Sequence, residues 1–159
     1  MEFDVIADVG GGTGVLINYI AKKYPQKQCL LFDRKEVVEL SNIQQKNVKN
    51  IGGNFFNHLP FQTDAIILAR VLHDWNDIKA KDILKNCHHA LNSKGKLLIV
   101  EIMQDEIEAN LLSLNMMLMT KSYERTFKQY EKLLDKVNFK IISKIKLNNL
   151  QTIITAIKK

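Results

Sequence analysis

Four polar residues of this 159-residue chain stand where they could do chemistry. His73 lies in Arg70-Val71-Leu72-His73-Asp74-Trp75, directly after an apolar run. A neutral imidazole there is the natural group for removing a proton from a hydroxyl near neutral pH. Asp33 closes the run Gln28-Cys29-Leu30-Leu31-Phe32, and Glu101 closes Lys96-Leu97-Leu98-Ile99-Val100. Asp8 stands two places before the first glycine of Gly10-Gly11-Gly12-Thr13-Gly14. Glycines let a backbone approach a ligand closely, and the free N–H groups of a helix start favour a polar or anionic partner. The combination suits a cradle for a nucleotide-like cofactor beside a base for a hydroxyl.

Each group needs an element to hold it. Val5-Ile6-Ala7 reads as a first strand, and Ile17, Ile20, Ala21 and Tyr24 recur at helical spacing, which makes the glycines a strand-to-helix turn. Their spacing departs from the dinucleotide fingerprint, which needs a glycine where Val15 stands. Asp33 follows Gly10 by about 20 residues, where nucleotide folds present an acid to ribose hydroxyls. It also suits the start of a helix expected over residues 35–45. The loop Gly52-Gly53-Asn54-Phe55-Phe56 could hold a flat ring, although Phe55 and Phe56 fit a core equally well.

A strand over residues 64–70 puts His73 at the carboxyl edge of a sheet, where open α/β folds keep their ligands. A structural histidine satisfied by nearby backbone would have the same sequence. A covering helix over 78–91, with Ala80, Ile83, Leu84, Cys87 and Leu91 inward and His88 and His89 structural, leads to a strand over 96–101. Residues 111–119 read as an apolar helix with Met116, expected to be either an adaptable wall for a flat ligand or plain core. Thr126-x-x-Gln129 is a capping box that opens a helix with Phe127, Tyr130, Leu133, Leu134 and Val137 inward. Two β-rich runs, 139–143 and 152–157, end the chain.

A composition of 46% hydrophobic and 25% charged residues is that of a globular protein, here one domain over residues 1–159. No apolar run approaches the ~18 residues of a membrane span, and the first strand follows Asp4 with no room for a signal peptide, so a cytoplasmic protein is expected. Cys29 and Cys87 lack metal-ligand spacing and read as buried free thiols. The net charge of +6 would suit nucleic acid, but the lysines are scattered and no aromatic platform is interleaved with them. Neither a nucleic-acid nor a membrane partner is expected.

Taken in order, DVGGGTG, LFDR, GGNFF, LARVLHDWND, KLLIVE, LNMMLMT and YERT resemble the catalytic domain of S-adenosylmethionine-dependent O-methyltransferases of small phenols and indoles, in particular the acetylserotonin (hydroxyindole) group. The resemblance implies an α/β fold with a doubly wound, mostly parallel sheet and an antiparallel C-terminal edge hairpin. It implies His73 as catalytic base with Glu101 and Glu124 flanking it, and S-adenosylmethionine contacts at Asp8, Gly10, Gly12, Asp33, Asn54, Phe55 and Arg70. Acceptor contacts fall at Asp74 and Met116, the substrate is a small aromatic hydroxyl compound, and no metal is implied.

Asn54 departs from the aspartate usual in the family, and Lys121-Ser122 stand where a glycine pair is usual. Such proteins also carry an N-terminal helical domain for dimerisation and part of the acceptor pocket. That domain is expected to be absent here, so that the chain binds the cofactor but turns over slowly. The alternative is a non-enzymatic or truncated S-adenosylmethionine-binding domain. The glycine spacing speaks against a dinucleotide oxidoreductase. The lack of an Asn/Asp-Pro-Pro-aromatic signature speaks against an amino-group methyltransferase.

Overall fold

A computed structural model of the chain describes residues 3–103, 114, 118, 119, 124–147 and 151–159. Its elements begin with β1 (Val5–Val9), α1 (Val15–Lys23), β2 (Gln28–Asp33), α2 (Lys35–Val38), β3 (Val48–Gly52) and β4 (Thr63–Ala69). A 3₁₀ turn (Leu72–Asp74), α3 (Asp77–Ala90), β5 (Leu91–Ile102), α4 (Phe127–Asp135), β6 (Phe139–Lys146) and β7 (Gln151–Lys158) follow. The strands form one sheet in the order β3-β2-β1-β4-β5-β7-β6. The strands from β3 to β5 run parallel, and β7 pairs antiparallel with both β5 and β6. The expected doubly wound sheet with its antiparallel C-terminal edge is the observed one.

Alternation along the strands decides which side chains meet which helices. Ala7, Val9, Leu30, Phe32, Ile66, Leu68, Leu97 and Ile99 pack with Ile83 and Leu84 of α3 and Tyr130 and Leu134 of α4. Ile6, Cys29, Leu31, Ala65 and Ile67 form a second cluster with Ile17 and Ala21 of α1. Two acids take core positions by the same parity. Asp8 shares the α1 face with Ile6, and Glu101 shares the α3–α4 face with Leu97 and Ile99. Burying each aliphatic side chain contributes about 1.5–3 kcal/mol, so the strand ends that carry these acids are firmly held. Cys29 and Cys87 are buried and free, and burial pushes the Cys87 thiol up to about 12.

Two expectations are corrected and one strand is added. The helix after Asp33 spans only Lys35–Val38 rather than residues 35–45. Ser41 and Asn42 favour turns over helix, and leaving the helix lets Ile43 pack in the space that Gly14 leaves open. Val48–Gly52 is a strand, which the sequence concealed because this edge strand buries no side chain fully and Lys49 and Asn50 are exposed. Finally, α3 ends at Ala90 and β5 starts at Leu91, with the pairing to β4 shifting between Thr63↔Leu91 and Ala65↔Lys96. The expected capping box is present, with Thr126 and Gln129 bonding reciprocally across the first turn of α4.

Within the glycine turn, two positions separate packing from strain. Gly14 caps α1 at φ 89°, and a Cβ there would lie 2.5 Å from Ile43 Cδ1 and 2.8 Å from Leu31 Cδ2. Gly12 has φ 61°, yet a Cβ there would meet nothing within 4 Å. Gly12→Ala should therefore cost only left-handed strain, about 1–2 kcal/mol. Gly14→Ala adds overpacking and should cost about 2–5 kcal/mol. Urea unfolding of the two variants checks this, and equal losses would show that the Gly14 contacts relax freely.

Candidate active site

The carboxyl ends of the parallel strands open on a cavity of about 700 Å³. Gly10, Asp33, Asn54, Phe55, Arg70 and Asp74, all expected at the site, line it, together with Val71 and Trp75. Adjacent strands β1 and β4 lead here to helices on opposite faces, the switch point at which open α/β sheets bind ligands. Gly12 joins through its backbone, since its N–H donates to Asp33 Oδ2 at 2.8 Å while the Arg34 N–H donates to Asp33 Oδ1 at 2.7 Å. Asp33 thereby fastens the glycine turn to the end of β2, a role not signalled by the sequence. Trp75 meets Phe55 and Phe56 edge to face, with centroids 5.9 and 4.7 Å away. Both phenylalanines also pack against the core, so wall and core prove compatible.

Behind the cavity wall lies a buried charge cluster. Glu101 is fully buried, and each of its oxygens meets two donors. Oε1 accepts from the N–H groups of Leu72 and His73 at 3.0 and 3.4 Å. Oε2 meets Arg70 NH1 at 3.0 Å and His73 Nδ1 at 3.1 Å. Glu124, also fully buried, takes both terminal nitrogens of Arg70, at 2.7 and 3.1 Å. Arg70 itself sits at φ 57°, a strained conformation for a residue with a side chain.

His73 is 6% exposed and stands between two carboxylates, with Nδ1 toward Glu101 and Nε2 3.2 Å from Asp74 Oδ1. The structure brings His73, Glu101 and Glu124 together, while Arg70, expected to touch the cofactor, lines the cavity but directs its guanidinium to two glutamates. Ligand atoms of His73, Glu101 and Glu124 lie within 4.8 Å of one another, a spacing compatible with a metal. The Arg70 guanidinium already supplies the cation between the glutamates. Met116 lies outside the described residues. Spacing does not mark Arg125 or Trp75 as site residues; the YERT and LHDW stretches are the signals the sequence carries for them.

A doubly wound sheet with this glycine turn, an acid at the end of β2 and a buried histidine at the same edge has the architecture of Rossmann-like methyltransferases. The model of the O-methyltransferase domain matches residues 1–140, and the chain belongs to that family. It is 36% identical over 145 residues to norreticuline-7-O-methyltransferase of Papaver somniferum, covering 87% of this chain and 40% of that protein. Acetylserotonin O-methyltransferase of Rattus norvegicus is 36% identical over 149 residues, covering 87% of this chain and 34% of the rat protein. The structure of human N-acetylserotonin methyltransferase in complex with S-adenosylmethionine superposes with a TM-score of 0.90 at 32% identity, covering 98% of this chain and 48% of the human one. The chain spans less than half the length of each of these relatives. No helix among the described residues is long and apolar enough to cross a membrane.

Asp8 differs from the other buried acids. It is 1% exposed and lines a second cavity of about 460 Å³ on the far side of Gly10, with Val15, Leu16 and Tyr19. Neither carboxylate oxygen meets a hydrogen-bond donor among the described residues. Burial first, and then the charge of Asp33, push its carboxyl from the ordinary 3.8 to about 7, against a weak opposing pull from the Ile17 N–H. Between these two values the folded protein holds a proton that the unfolded chain has released, so the penalty grows as pH rises and is complete above about 7. Its ceiling is roughly 4 kcal/mol. Asp8→Asn should therefore stabilise the fold, more at pH 8 than at pH 5. Urea unfolding at both pH values tests this, and a gain that does not change with pH would show that Asp8 titrates normally.

Proposed function

We propose that this chain binds S-adenosylmethionine at the glycine turn and methylates a hydroxyl of a small phenolic or indolic acceptor, with His73 as general base. The observation that supports it best is the pairing of His73 Nδ1 with buried Glu101 beside the cavity. The residues present fit such a cofactor. Asp33 retains lone pairs for ribose hydroxyls, Asn54, Phe55 and Trp75 offer edges and faces to a purine, and the unpartnered Asp8 carboxyl suits a cationic group. When bound, S-adenosylmethionine supplies a methyl group activated by the sulfonium charge.

The protein's part is proton transfer and placement. Glu101 accepts from Nδ1–H, which fixes the tautomer and leaves Nε2 with a lone pair for the acceptor's hydroxyl proton. The imidazolium so formed lies between Glu101 and Asp74. Arg70 bridges Glu101 and Glu124 and offsets part of their charge. The human relative's complex with S-adenosylmethionine supports the cofactor, and the names of the poppy and rat relatives support a hydroxyl acceptor. A second reading is a cofactor-binding domain with little turnover by itself; the chain spans less than half the length of those relatives.

Calorimetry with S-adenosylmethionine and turnover on a panel of phenols and indoles separate the two. Asp33→Ala should weaken cofactor binding by about 1.5–3 kcal/mol, since it removes a charged acceptor and loosens the turn. His73→Ala should lower turnover by ~10²–10⁴ with cofactor affinity nearly intact. Binding without turnover in the wild type would favour the second reading. No binding at all would overturn both.

A further inference from the structure

We propose that Arg125 is the positioning residue for His73, acting through the turn that carries it, whose Leu72 and Trp75 carbonyls it binds. The inference rests on the proposed role of His73 as base. The turn Leu72–Asp74 is weakly closed by its own backbone, with Asp74 N–H to Val71 O and Trp75 N–H to Leu72 O both at 3.3 Å. Bonds of that length contribute little, and the turn must be held from outside.

Glu101 grips its N–H side through Leu72 and His73. Arg125 grips its carbonyl side: NH1 donates to Leu72 O at 2.7 Å, and NH2 donates to Trp75 O at 2.6 Å. The Leu72 residue is thus pinned at its amide by an anion and at its carbonyl by a cation. Charge-assisted bonds of this length are about twice as strong as neutral ones. The Arg125 guanidinium is 1% exposed, and its Nε donates to Asp77 Oδ1 at 3.0 Å at the start of α3. A planar fork is required for this geometry, because three acceptors on different residues are met in fixed directions; an ammonium cannot reproduce it.

Arg125 also sits between Glu124, which binds Arg70, and Thr126, which caps α4. One tripeptide therefore connects α4 to both the charge cluster and the histidine turn. Displacement of the turn by about 1 Å would take His73 away from its working position, and errors of that size can cost about 10²-fold in rate.

The chain contains a single tryptophan, Trp75, whose carbonyl is one of the Arg125 acceptors, so its fluorescence reports the turn. The test uses Arg125→Met, Arg125→Lys and Asp77→Asn in the full chain. Arg125→Met should lower kcat about 10- to 100-fold, with Arg125→Lys intermediate and Asp77→Asn within about 3-fold, because both carbonyl bonds survive there. In a His73→Ala background Arg125→Met should lower kcat less than about 2-fold, the non-additivity of two residues acting through one group.

Trp75 emission should shift and its quenching by acrylamide rise in Arg125→Met while circular dichroism is retained. Equal losses in both backgrounds, an unmoved Trp75 signal, or cooperative unfolding of both Arg125 variants would overturn the proposal. If His73→Ala has no effect, or the wild type shows no turnover, the assignment of the base fails instead. The Trp75 signal of the Arg125 variants then decides the clamp by itself.

Discussion

The carboxylate of Glu101 is the contact on which the site depends. A buried carboxylate is tolerated only where donors replace the water it has lost. Glu101 has four, and they come from one short stretch of chain: the guanidinium of Arg70, the amides of Leu72 and His73, and the ring of His73. Satisfying the charge therefore determines the path of the chain after β4. The same atoms that make Glu101 acceptable in the core place an imidazole at the sheet edge. Parity on β5 does the first part of this work, since a shift of one residue would turn Glu101 away from the α3–α4 face.

Charge balance extends the constraint to α4. Glu101 and Glu124 share Arg70, and Arg125 pairs with Asp77. Removing Arg70 would leave two fully buried glutamates uncompensated, at a cost of about 3–5 kcal/mol, whereas the Asp77 partner of Arg125 is largely exposed and its loss costs little. Arg70, Glu101 and Glu124 cannot vary one at a time. The strained backbone of Arg70 belongs to the same account, for a left-handed residue persists only where its surroundings over-determine it. Three bonds to two fully buried glutamates do so here.

Features local in sequence were legible before the structure. The glycine turn, the acids that end β2 and β5, the capping box at Thr126 and the inward stripe of α3 all follow from spacing alone, and the structure contains each. Two local features failed for physical reasons: β3 is an edge strand without a fully buried side chain, and α2 stops where Ile43 is needed elsewhere. The buried pairings were not legible. Arg70 reaches Glu124 across 54 positions, and Arg125 reaches Leu72 across 53. No periodicity records such contacts, and a fully buried arginine has the same letter as a solvated one. Proximity of Glu101 and Glu124 to His73 was implied by resemblance. That Arg70 and Arg125 hold this group together is visible only in the fold.

Asp8 and Glu101 show that two buried acids can stand for opposite physical situations. Glu101 is saturated, and adding a ligand would require breaking a bond it already makes. Among the described residues Asp8 meets at most the weak pull of the Ile17 N–H, is pushed to about 7 by burial and then by Asp33, and faces a cavity. A fold that needed only a filled core at this position would gain by an apolar residue, because the neighbouring positions Ile6, Leu31 and Ile67 show that the α1 face accepts one. An unpartnered carboxyl beside Gly10 and Gly11 is destabilising in the free protein, and a cationic group entering that cavity would relieve the penalty. The free energy missing from the fold is then available to binding, with release of whatever proton Asp8 holds. The two acids so divide the edge of the sheet. One is complete and builds the site; the other is incomplete, and its carboxyl is a place where a positive charge would be stabilised.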